Sequence, residues 1–222
     1  MPSIAAPIAV PIIFDSAKGV SITRSSPYFS CKPRVAPNTP PFRPTSSPNI
    51  KILLSSIESN DPVLFFEHKK AYRFLKDEVP DSYYTIPLGK ADVKREGDDI
   101  TVFTYGLCVN YCIQAADILE ADGISVEVVD LRTVYPLDKT TIIEHAKRNG
   151  KILLVTEDNL EGSVMSEVSA IIAEHCLFEL DAPIMRLAGP DVPSMPFSPN
   201  LENEVMMNPD KILKKMRELA QF

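Results

Sequence analysis

Short apolar runs alternate with segments of helical periodicity from residue 93 to the C-terminus. Four of the runs predict β-strands: ITVFTYG, ISVEVVDL, KILLVTED and APIMRLAG. Four other segments have the spacing of amphipathic helices: VNYCIQAADILEADG, DKTTIIEHAKRNG, SVMSEVSAIIAEHC and NPDKILKKMRELAQF. Capping chemistry supports the second helix, because Asp138 can accept a hydrogen bond at its start and Gly150 can adopt a left-handed backbone at its end.

This alternation predicts a doubly wound α/β fold with a mostly parallel sheet. The strands ILLV and VEVV show no polar alternation, as expected where helices cover both faces of a sheet. Residues 93–222 are therefore expected to form one domain. Residues 51–92 are expected to add a short helix in IKILLSSIESN and a strand in DPVLFFEHK, and the segment EVPDSYYTIPLGKADVKREGDD is interpreted as a polar linker.

Residues 1–50 differ in composition from the rest of the chain. They contain ten of the twenty prolines and no glutamate, and one acidic residue stands against five basic ones. This segment therefore has a net charge of +4. Since the whole chain has a net charge of −7, residues 51–222 have a net charge of −11. Frequent prolines disfavour helix and sheet, so an irregular or disordered segment is expected, with only APIAVPIIF resembling a strand. A basic organelle transit peptide is the alternative.

The overall composition is that of a globular protein, and it excludes several classes. The net charge of −7 gives no support to nucleic-acid binding, and no apolar run approaches the roughly 20 residues of a membrane helix. The spacing of the four cysteines does not match a zinc site. Cys108 and Cys112 are expected to be buried apolar thiols, which fits a reducing cytoplasm.

Polar residues follow the predicted strands, and ligands of parallel sheets bind at the carboxyl ends of strands. Asp130 and Arg132 stand at the end of VEVVDLR, and Asp191 stands at the end of RLAGPD. No G-x-G-x-x-G or P-loop sequence is present, which disfavours a nucleotide site. No serine nucleophile elbow is present either, so the α/β domain is predicted to lack a self-contained active site.

Two further groups have chemistry to offer. Glu157, Asp158 and Glu161 could act in acid–base chemistry or bind a hard cation, but an acidic loop before a helix N-terminus is the favoured interpretation. His68 follows a predicted strand and is the one histidine considered for a functional role. The other two histidines lie late in predicted helices, where a positive charge suits the helix dipole.

From about residue 50 the chain resembles the beta subunit of the thiamine-diphosphate-dependent decarboxylating component of 2-oxo acid dehydrogenase complexes. The resemblance rests on DPVLFFEHKKAYR, VFTYGLCV, EVVDLRTVYPLD, LLVTEDNLEGSVMSEV, APIMRLAGPDVPSMP and NPDKILKKMRELAQF, in the family's order and spacing. The branched-chain, 2-oxoisovalerate type is the most similar, and pyruvate and acetoin types are the alternatives. The family's second domain is transketolase C-terminal-like and matches residues 93–222.

The resemblance implies oxidative decarboxylation of a 2-oxo acid, with acyl transfer to a lipoyl group of the acyltransferase component. Thiamine diphosphate and Mg²⁺ supply that chemistry in the intact family enzyme. The implied partners are the alpha subunit, a second beta subunit and the acyltransferase, and no nucleic acid or membrane is expected as a partner. A bacterial cytoplasmic location is expected, with the mitochondrial matrix or plastid as the alternative.

The resemblance also assigns a docking role to the second domain, which binds the basic subunit-binding domain of the acyltransferase. The −11 on residues 51–222 would steer such a partner. Asp191 and the terminal carboxylate of Phe222 are the candidates for partner docking, and Asp130 and Arg132 are the candidates for a subunit interface. No residue is assigned a catalytic, cofactor-binding or metal-binding role.

The sequence departs from the family in its first part. Most of the family's pyrimidine-binding domain has no counterpart: residues 51–92 resemble a remnant of it, and residues 1–50 match nothing in it. A frameshifted or truncated gene would produce this pattern. The isolated chain is therefore predicted to be inactive and to bind no cofactor alone. A non-catalytic binding module or degenerate fragment is the alternative function.

Overall fold

The computed structural model describes residues 9–13, 47–75, 83–192 and 195–222. The chain divides into two compact units whose boundary in the sequence lies between Ile86 and Pro87. Most of the proline-rich segment 1–50, for which irregular structure is expected, lies outside the described residues. Cys31 lies outside them as well.

Within its described residues, the first unit contains two short strands and two helices: β1 (Ala9–Ile13), α1 (Ser47–Glu58), β2 (Val63–Glu67) and α2 (Ala71–Phe74). β1 and β2 pair antiparallel. α1 and β2 confirm the helix and the strand predicted for this region. Leu64 and Phe66 on β2 are both about half exposed, so one face of this strand has no apolar cover within the described residues.

The second unit is built on a five-stranded sheet: β3 (Asp92–Arg95), β4 (Ile100–Thr104), β5 (Val126–Asp130), β6 (Ile152–Asn159) and β7 (Met185–Gly189). The strand order is β3-β5-β4-β6-β7. The last four strands are parallel, and β3 pairs antiparallel with β5 at one edge. The prediction of a mostly parallel sheet is confirmed.

Helices cover both faces of this sheet: α3 (Cys108–Ala121), α4 (Lys139–Asn149), α5 (Val164–Cys176) and α7 (Pro209–Leu219). A short helix, α6 (Pro199–Val205), precedes α7 and has no buried residue. α3 packs against α7, and α4 packs against α5. A 3₁₀ turn, Leu177–Glu179, follows α5. The two helix pairs form the outer layers of the predicted doubly wound fold.

The register of the strands produces two apolar rows, one on each face of the sheet. Phe103 pairs with Val129 on β5 and with Leu154 on β6, and all three side chains are fully buried in the core beneath α4 and α5. The adjacent position on each strand points to the other face. Both faces are therefore dry, which explains why the strands show no polar alternation.

The caps of α4 agree with the sequence. Asp138 accepts a hydrogen bond from the backbone N–H of Thr141 at 3.4 Å, and Gly150 ends the helix with φ +66°. Asp138 also accepts from the backbone N–H of Ala91 at 3.2 Å and therefore ties the segment before β3 to the start of α4. Burial alone would raise its pKa, but these hydrogen bonds, with Lys90 nearby, lower the pKa of the Asp138 carboxyl below its ordinary value.

Regular elements occur in two segments for which no helix or strand is predicted, so the prediction of a polar linker is wrong. The segment interpreted as a polar linker includes β3, because pairing with the buried strand β5 orders a polar sequence that has little strand propensity of its own. The proline-rich segment after β7 includes α6, with Pro199 in its first turn. Proline is compatible with the first turn of a helix, so its presence did not exclude one there.

Candidate functional site

The central strand β4 lies between β5 and β6. The chain passes from β4 to β5 on one side, and it then crosses to β6 on the other side of β4. Such a switch point is where ligands of open parallel sheets bind. Here Tyr105 follows β4, and its hydroxyl lies 2.9 Å from the Oγ1 of Thr156 on β6. Burial raises the pKa of Tyr105, so the phenol remains protonated and serves as a cross-strand tie.

The carboxyl end of β5 is a cluster of charges around Asp130. Its Oδ1 accepts the backbone N–H of Arg132 at 3.0 Å. Burial raises the pKa of Asp130 to about 6, in spite of that hydrogen bond and the charges of Lys94 and Arg132. The carboxyl group at this strand exit can therefore gain or lose a proton near neutral pH.

Arg132 connects the same strand exit to the edge strand β3. Its guanidinium donates to the carboxylate of Asp92, which also pairs with Lys94 at 2.6 Å. Arg132 has a φ of +56°, an uncommon left-handed conformation for a non-glycine residue, and its Nε is buried without a partner among the described residues. Asp130 and Arg132 thus fix the exit of β5 within the unit, and their predicted role in a subunit interface stays a prediction.

A groove of about 420 Å³ opens beside the carboxyl end of β7 and contains Asp191. Its walls come from β7 and the loop after it, from α6, from the start of α7 and from the loop after β6. The lining residues are Leu160, Arg186, Leu187, Ala188, Gly189, Pro190, Asp191, Glu204, Val205, Met207, Lys211 and Lys215. The groove therefore has an apolar floor and a charged rim, which suits the docking of a polar partner surface.

Phe222, the other predicted docking residue, follows α7. Its backbone N–H donates to the carbonyl of Leu219 at 3.3 Å, which continues the helical turn, and its side chain is 63% exposed. An exposed aromatic ring could contact a partner. Its docking role stays a prediction, as does that of Asp191.

A buried ionic network lies at the opposite end of the sheet. Glu127 on β5 is completely buried, accepts the guanidinium of Arg148, and lies 2.8 Å from the Nδ1 of His145. Thr101 donates to its second oxygen at 2.8 Å, and the amide of Asn149 donates to Thr101 at 2.9 Å. Sequence reasoning missed this network, although a single glutamate within the apolar strand VEVV was the available signal.

The remaining residues singled out in the sequence form no network of side chains like the one around Glu127 within the described parts of the chain. His68 accepts the backbone N–H of Lys70 at 3.2 Å in an exposed turn. Asp158 accepts the backbone N–H of Asn159 at 2.8 Å. Glu157 and Asp158 belong to the last residues of β6, so the prediction of an acidic loop is wrong for these two residues. Cys108 and Cys112 are buried, and burial raises the pKa of both thiols, which confirms their interpretation as apolar side chains.

Across the described ranges, no group of three or more histidine, cysteine, aspartate or glutamate side chains could hold a metal ion. The Mg²⁺ implied for the intact family enzyme therefore has no ligand set to which it can be assigned in these parts of the chain. In these same parts of the chain, every helix is too short or too polar to cross a membrane.

The sequence and the fold together define the class of protein. The family model of the transketolase C-terminal domain matches residues 89–212, more than half of the chain, and the chain belongs to that family. The match covers all five strands of the sheet and ends within α7.

Among curated proteins, the beta subunit of 2-oxoisovalerate dehydrogenase from Bacillus subtilis is 67% identical over 171 residues. The pyruvate dehydrogenase E1 beta subunit of the same bacterium is 46% identical over 171 residues, and the beta subunit of its acetoin:2,6-dichlorophenolindophenol oxidoreductase is 45% identical over 168. The predicted resemblance to such beta subunits, with the branched-chain type ahead of the pyruvate and acetoin types, is confirmed.

The aligned region is a larger share of this chain than of the relatives. The alignment with the 2-oxoisovalerate relative covers 77% of this chain but 52% of the relative, so the chain spans about half the length of the curated relatives it matches. A solved split-gene transketolase, described as an inactive beta4 tetramer, matches with a TM-score of 0.54 at 23% identity, over 66% of this chain and 47% of its own. That likeness supports the fold alone.

Proposed function

We propose that the chain acts as the beta subunit, or a remnant of it, in the decarboxylating component of a 2-oxo acid dehydrogenase. In this role it supplies subunit assembly and partner docking for the oxidative decarboxylation of a 2-oxo acid, with acyl transfer to a lipoyl group. The observation that carries the proposal is the 67% identity over 171 residues to a 2-oxoisovalerate dehydrogenase beta subunit. A non-catalytic binding module is the second candidate, because no described cluster forms a self-contained active site.

The proposed substrate is a branched-chain 2-oxo acid. The relative of that type shares 67% of aligned residues, against 46% and 45% for the pyruvate and acetoin relatives. Pyruvate and acetoin are therefore the alternatives. Since the relatives are bacterial proteins, the proposed location is the bacterial cytoplasm.

Thiamine diphosphate and Mg²⁺ are the cofactors of the proposed intact enzyme, and the thiazolium of the coenzyme would supply the carbanion chemistry. The described residues offer no metal-ligand cluster, so no step is assigned to this chain's own side chains. Their proposed contribution is structural: the domain built on the five-stranded sheet presents the charged surfaces to which other subunits bind. The isolated chain is accordingly proposed to be inactive.

Two surfaces are proposed for the partners. Asp191 in the groove and the terminal carboxylate of Phe222 are proposed to dock the basic subunit-binding domain of the acyltransferase. Asp130 and Arg132, at the exit of β5, are proposed to lie near an interface with an alpha subunit or a second beta subunit. Support for the first surface comes from the exposure of both docking residues and from the acidic charge of residues 51–222.

Reconstitution tests the enzymatic role. The chain is mixed with its alpha subunit, thiamine diphosphate and Mg²⁺. CO₂ release is measured from 2-oxoisovalerate and pyruvate, and reduction of 2,6-dichlorophenolindophenol is measured with acetoin, which has no carboxyl group to lose. Assembly with the alpha subunit but little or no turnover is the expected result. Turnover equal to that of a full-length beta subunit would overturn the remnant proposal, and failure to assemble would overturn the subunit proposal.

Comparison with the upstream coding DNA tests the origin of residues 1–50. If a frameshift produced this segment, another reading frame should encode a sequence that matches the first half of the curated relatives. If no other frame restores that match, a frameshift is excluded.

A further inference from the structure

Asn149 is the last residue of α4, and no other asparagine in the sequence stands directly before a glycine. Asparagine is a chemically labile residue, because the backbone nitrogen of the following residue can attack its side-chain amide carbon and displace ammonia. Glycine hinders this attack least, since it has no Cβ beside the attacking nitrogen. In an unfolded chain, the amide of Asn149 is therefore the asparagine amide most readily lost.

The fold engages the side-chain amide of Asn149 completely. The residue is 8% exposed, and its Nδ2 donates to the carbonyl of Gly97 at 3.0 Å and to the Oγ1 of Thr101 at 2.9 Å. These two bonds use both protons of the amide nitrogen. The direction of the second bond is fixed, because the Thr101 hydroxyl gives its own proton to Glu127 at 2.8 Å and accepts from Asn149. The site therefore requires a donor at position 149.

The backbone beside Asn149 is held as well. The N–H of Gly150 donates to the carbonyl of Ala146 at 3.3 Å, and the carbonyl of Gly150 accepts the N–H of Asp181 at 2.9 Å. Gly150 ends the helix in a left-handed conformation, with φ +66°. Ring closure needs the Gly150 nitrogen to leave Ala146 and the Asn149 amide to leave its two acceptors. Both reacting groups are consequently engaged elsewhere while the end of α4 is folded.

We propose that Asn149 is a site of spontaneous deamidation that becomes reactive only when the end of α4 unfolds, and that the product cannot rebuild the network around Thr101 and Glu127. The Gly150 nitrogen forms a bond to the Asn149 amide carbon, and its proton passes through solvent to the leaving nitrogen. The bond from that carbon to Nδ2 breaks, and ammonia departs. Water then opens one of the two carbonyl–nitrogen bonds of the cyclic imide, which gives aspartate or isoaspartate.

Either product would damage the network. An aspartate at this position has only acceptor oxygens, and it would present them to the carbonyl of Gly97 and to the Oγ1 of Thr101. It would also place a second carboxylate one hydroxyl group away from the buried carboxylate of Glu127, which raises the cost of burying charge there. Isoaspartate would add a methylene to the backbone before Gly150 and displace the helix end. Deamidation would therefore make an unfolding event irreversible.

Peptide mapping of the full chain by mass spectrometry tests where and when the amide is lost. In urea at neutral pH, Asn149 is expected to deamidate faster than Asn159, which precedes a leucine. Without urea the rate at Asn149 should fall by a factor of about 10³ or more, since the unfolded fraction of a native protein is on the order of 10⁻³ or less. A native rate within about tenfold of the rate in urea would overturn the proposal, as would equal rates at Asn149 and Asn159 in urea.

Refolding tests the consequence for the fold. After dilution from urea, recovery of the cooperative unfolding transition should fall with the time held in urea, in step with the loss of the Asn149 amide. Gly150→Ala places a methyl group beside the attacking nitrogen and should lose recovery more slowly. Each chain is compared with its own recovery at the shortest holding time, so a lower stability of Gly150→Ala does not enter. Equal rates of loss in the two chains would overturn the proposal.

A variant that imitates the product separates chemistry from prolonged exposure to urea. Asn149→Asp is expected to unfold at a lower urea concentration than the unaltered chain, or not to fold at all. Asn200→Asp is the matched control, because it makes the same change of charge at an exposed position of α6 and should leave the midpoint nearly unchanged. Equal midpoints for Asn149→Asp and the unaltered chain would overturn the claim that the product cannot rebuild the network.

Discussion

Asp130 is a residue whose protonation affects the stability of the fold. Its folded pKa of about 6 lies above the ordinary value of 3.8, so the native state holds the proton more tightly than the unfolded chain does. This contribution to stability is complete below about pH 4 and is lost as the pH rises through about 6. A charged Asp130 at neutral pH is therefore a local source of instability.

Replacement of this carboxyl by a neutral amide tests the sign of the effect. Asp130→Asn is expected to gain stability relative to the unaltered chain between pH 4 and pH 7, by at most about 3 kcal/mol. Urea denaturation at a series of pH values measures the difference. The matched control is Asp98→Asn, which removes a carboxylate from an exposed turn, and parallel profiles for Asp130→Asn and the unaltered chain would contradict the prediction.

Glu127 is a buried charge that depends on its partners. Removal of the guanidinium by Arg148→Met should destabilise the chain by about 3 kcal/mol, because an uncompensated buried carboxylate remains. Adding Glu127→Gln should recover part of that loss. Urea unfolding of the two single variants and the double variant gives the coupling free energy. Additive losses in that cycle would show that Arg148 and Glu127 do not interact appreciably.

At the scale of elements, two helices end on left-handed glycines in different surroundings. Gly150 ends α4 with φ +66°, and an added Cβ would lie 2.4 Å from the Oδ2 of Asp181. Gly123 follows α3 with φ +79°, and an added Cβ would meet nothing within 4 Å. The two sites therefore share the backbone requirement but differ in free space.

This difference gives a matched pair of variants. Gly123→Ala should cost about 1 kcal/mol, the price of a left-handed backbone for alanine. Gly150→Ala should cost more, because steric overlap with Asp181 is added to the same backbone term. Thermal or urea unfolding of both variants measures the difference, and equal losses would show that the Asp181 side chain simply moves away.

The helices and parallel strands could be predicted because their own sequences specify them, through apolar runs, Asp138 as a cap and Gly150 as a stop. β3 could not, since its residues are polar and become a strand only by pairing with β5. The groove was found only in part. Asp191 stood at a predicted strand exit, but Glu204 and Lys211 approach it through α6, an element that the proline-rich sequence concealed.

At the scale of the whole molecule, the unit that begins at Pro87 contains a complete core. The main cluster of buried apolar side chains beneath α4 and α5 runs from Phe103 to Cys176, and among the described residues all its members belong to the second unit. A variant that starts at Pro87 should therefore fold and unfold in one cooperative transition. Circular dichroism during heating is the measurement, and a broad, non-cooperative loss of signal would contradict the prediction.

The packing of α7 against α3 has a consequence for biosynthesis. α7 buries Ile212, Met216 and Leu219, and it follows α3 in the chain only after three further strands and three further helices. During translation the apolar face of α3 emerges from the ribosome long before its cover exists. The nascent domain must therefore wait, with that face exposed, until α7 itself has emerged, and a chain cut short anywhere before α7 would keep a surface that chaperones and proteases recognise.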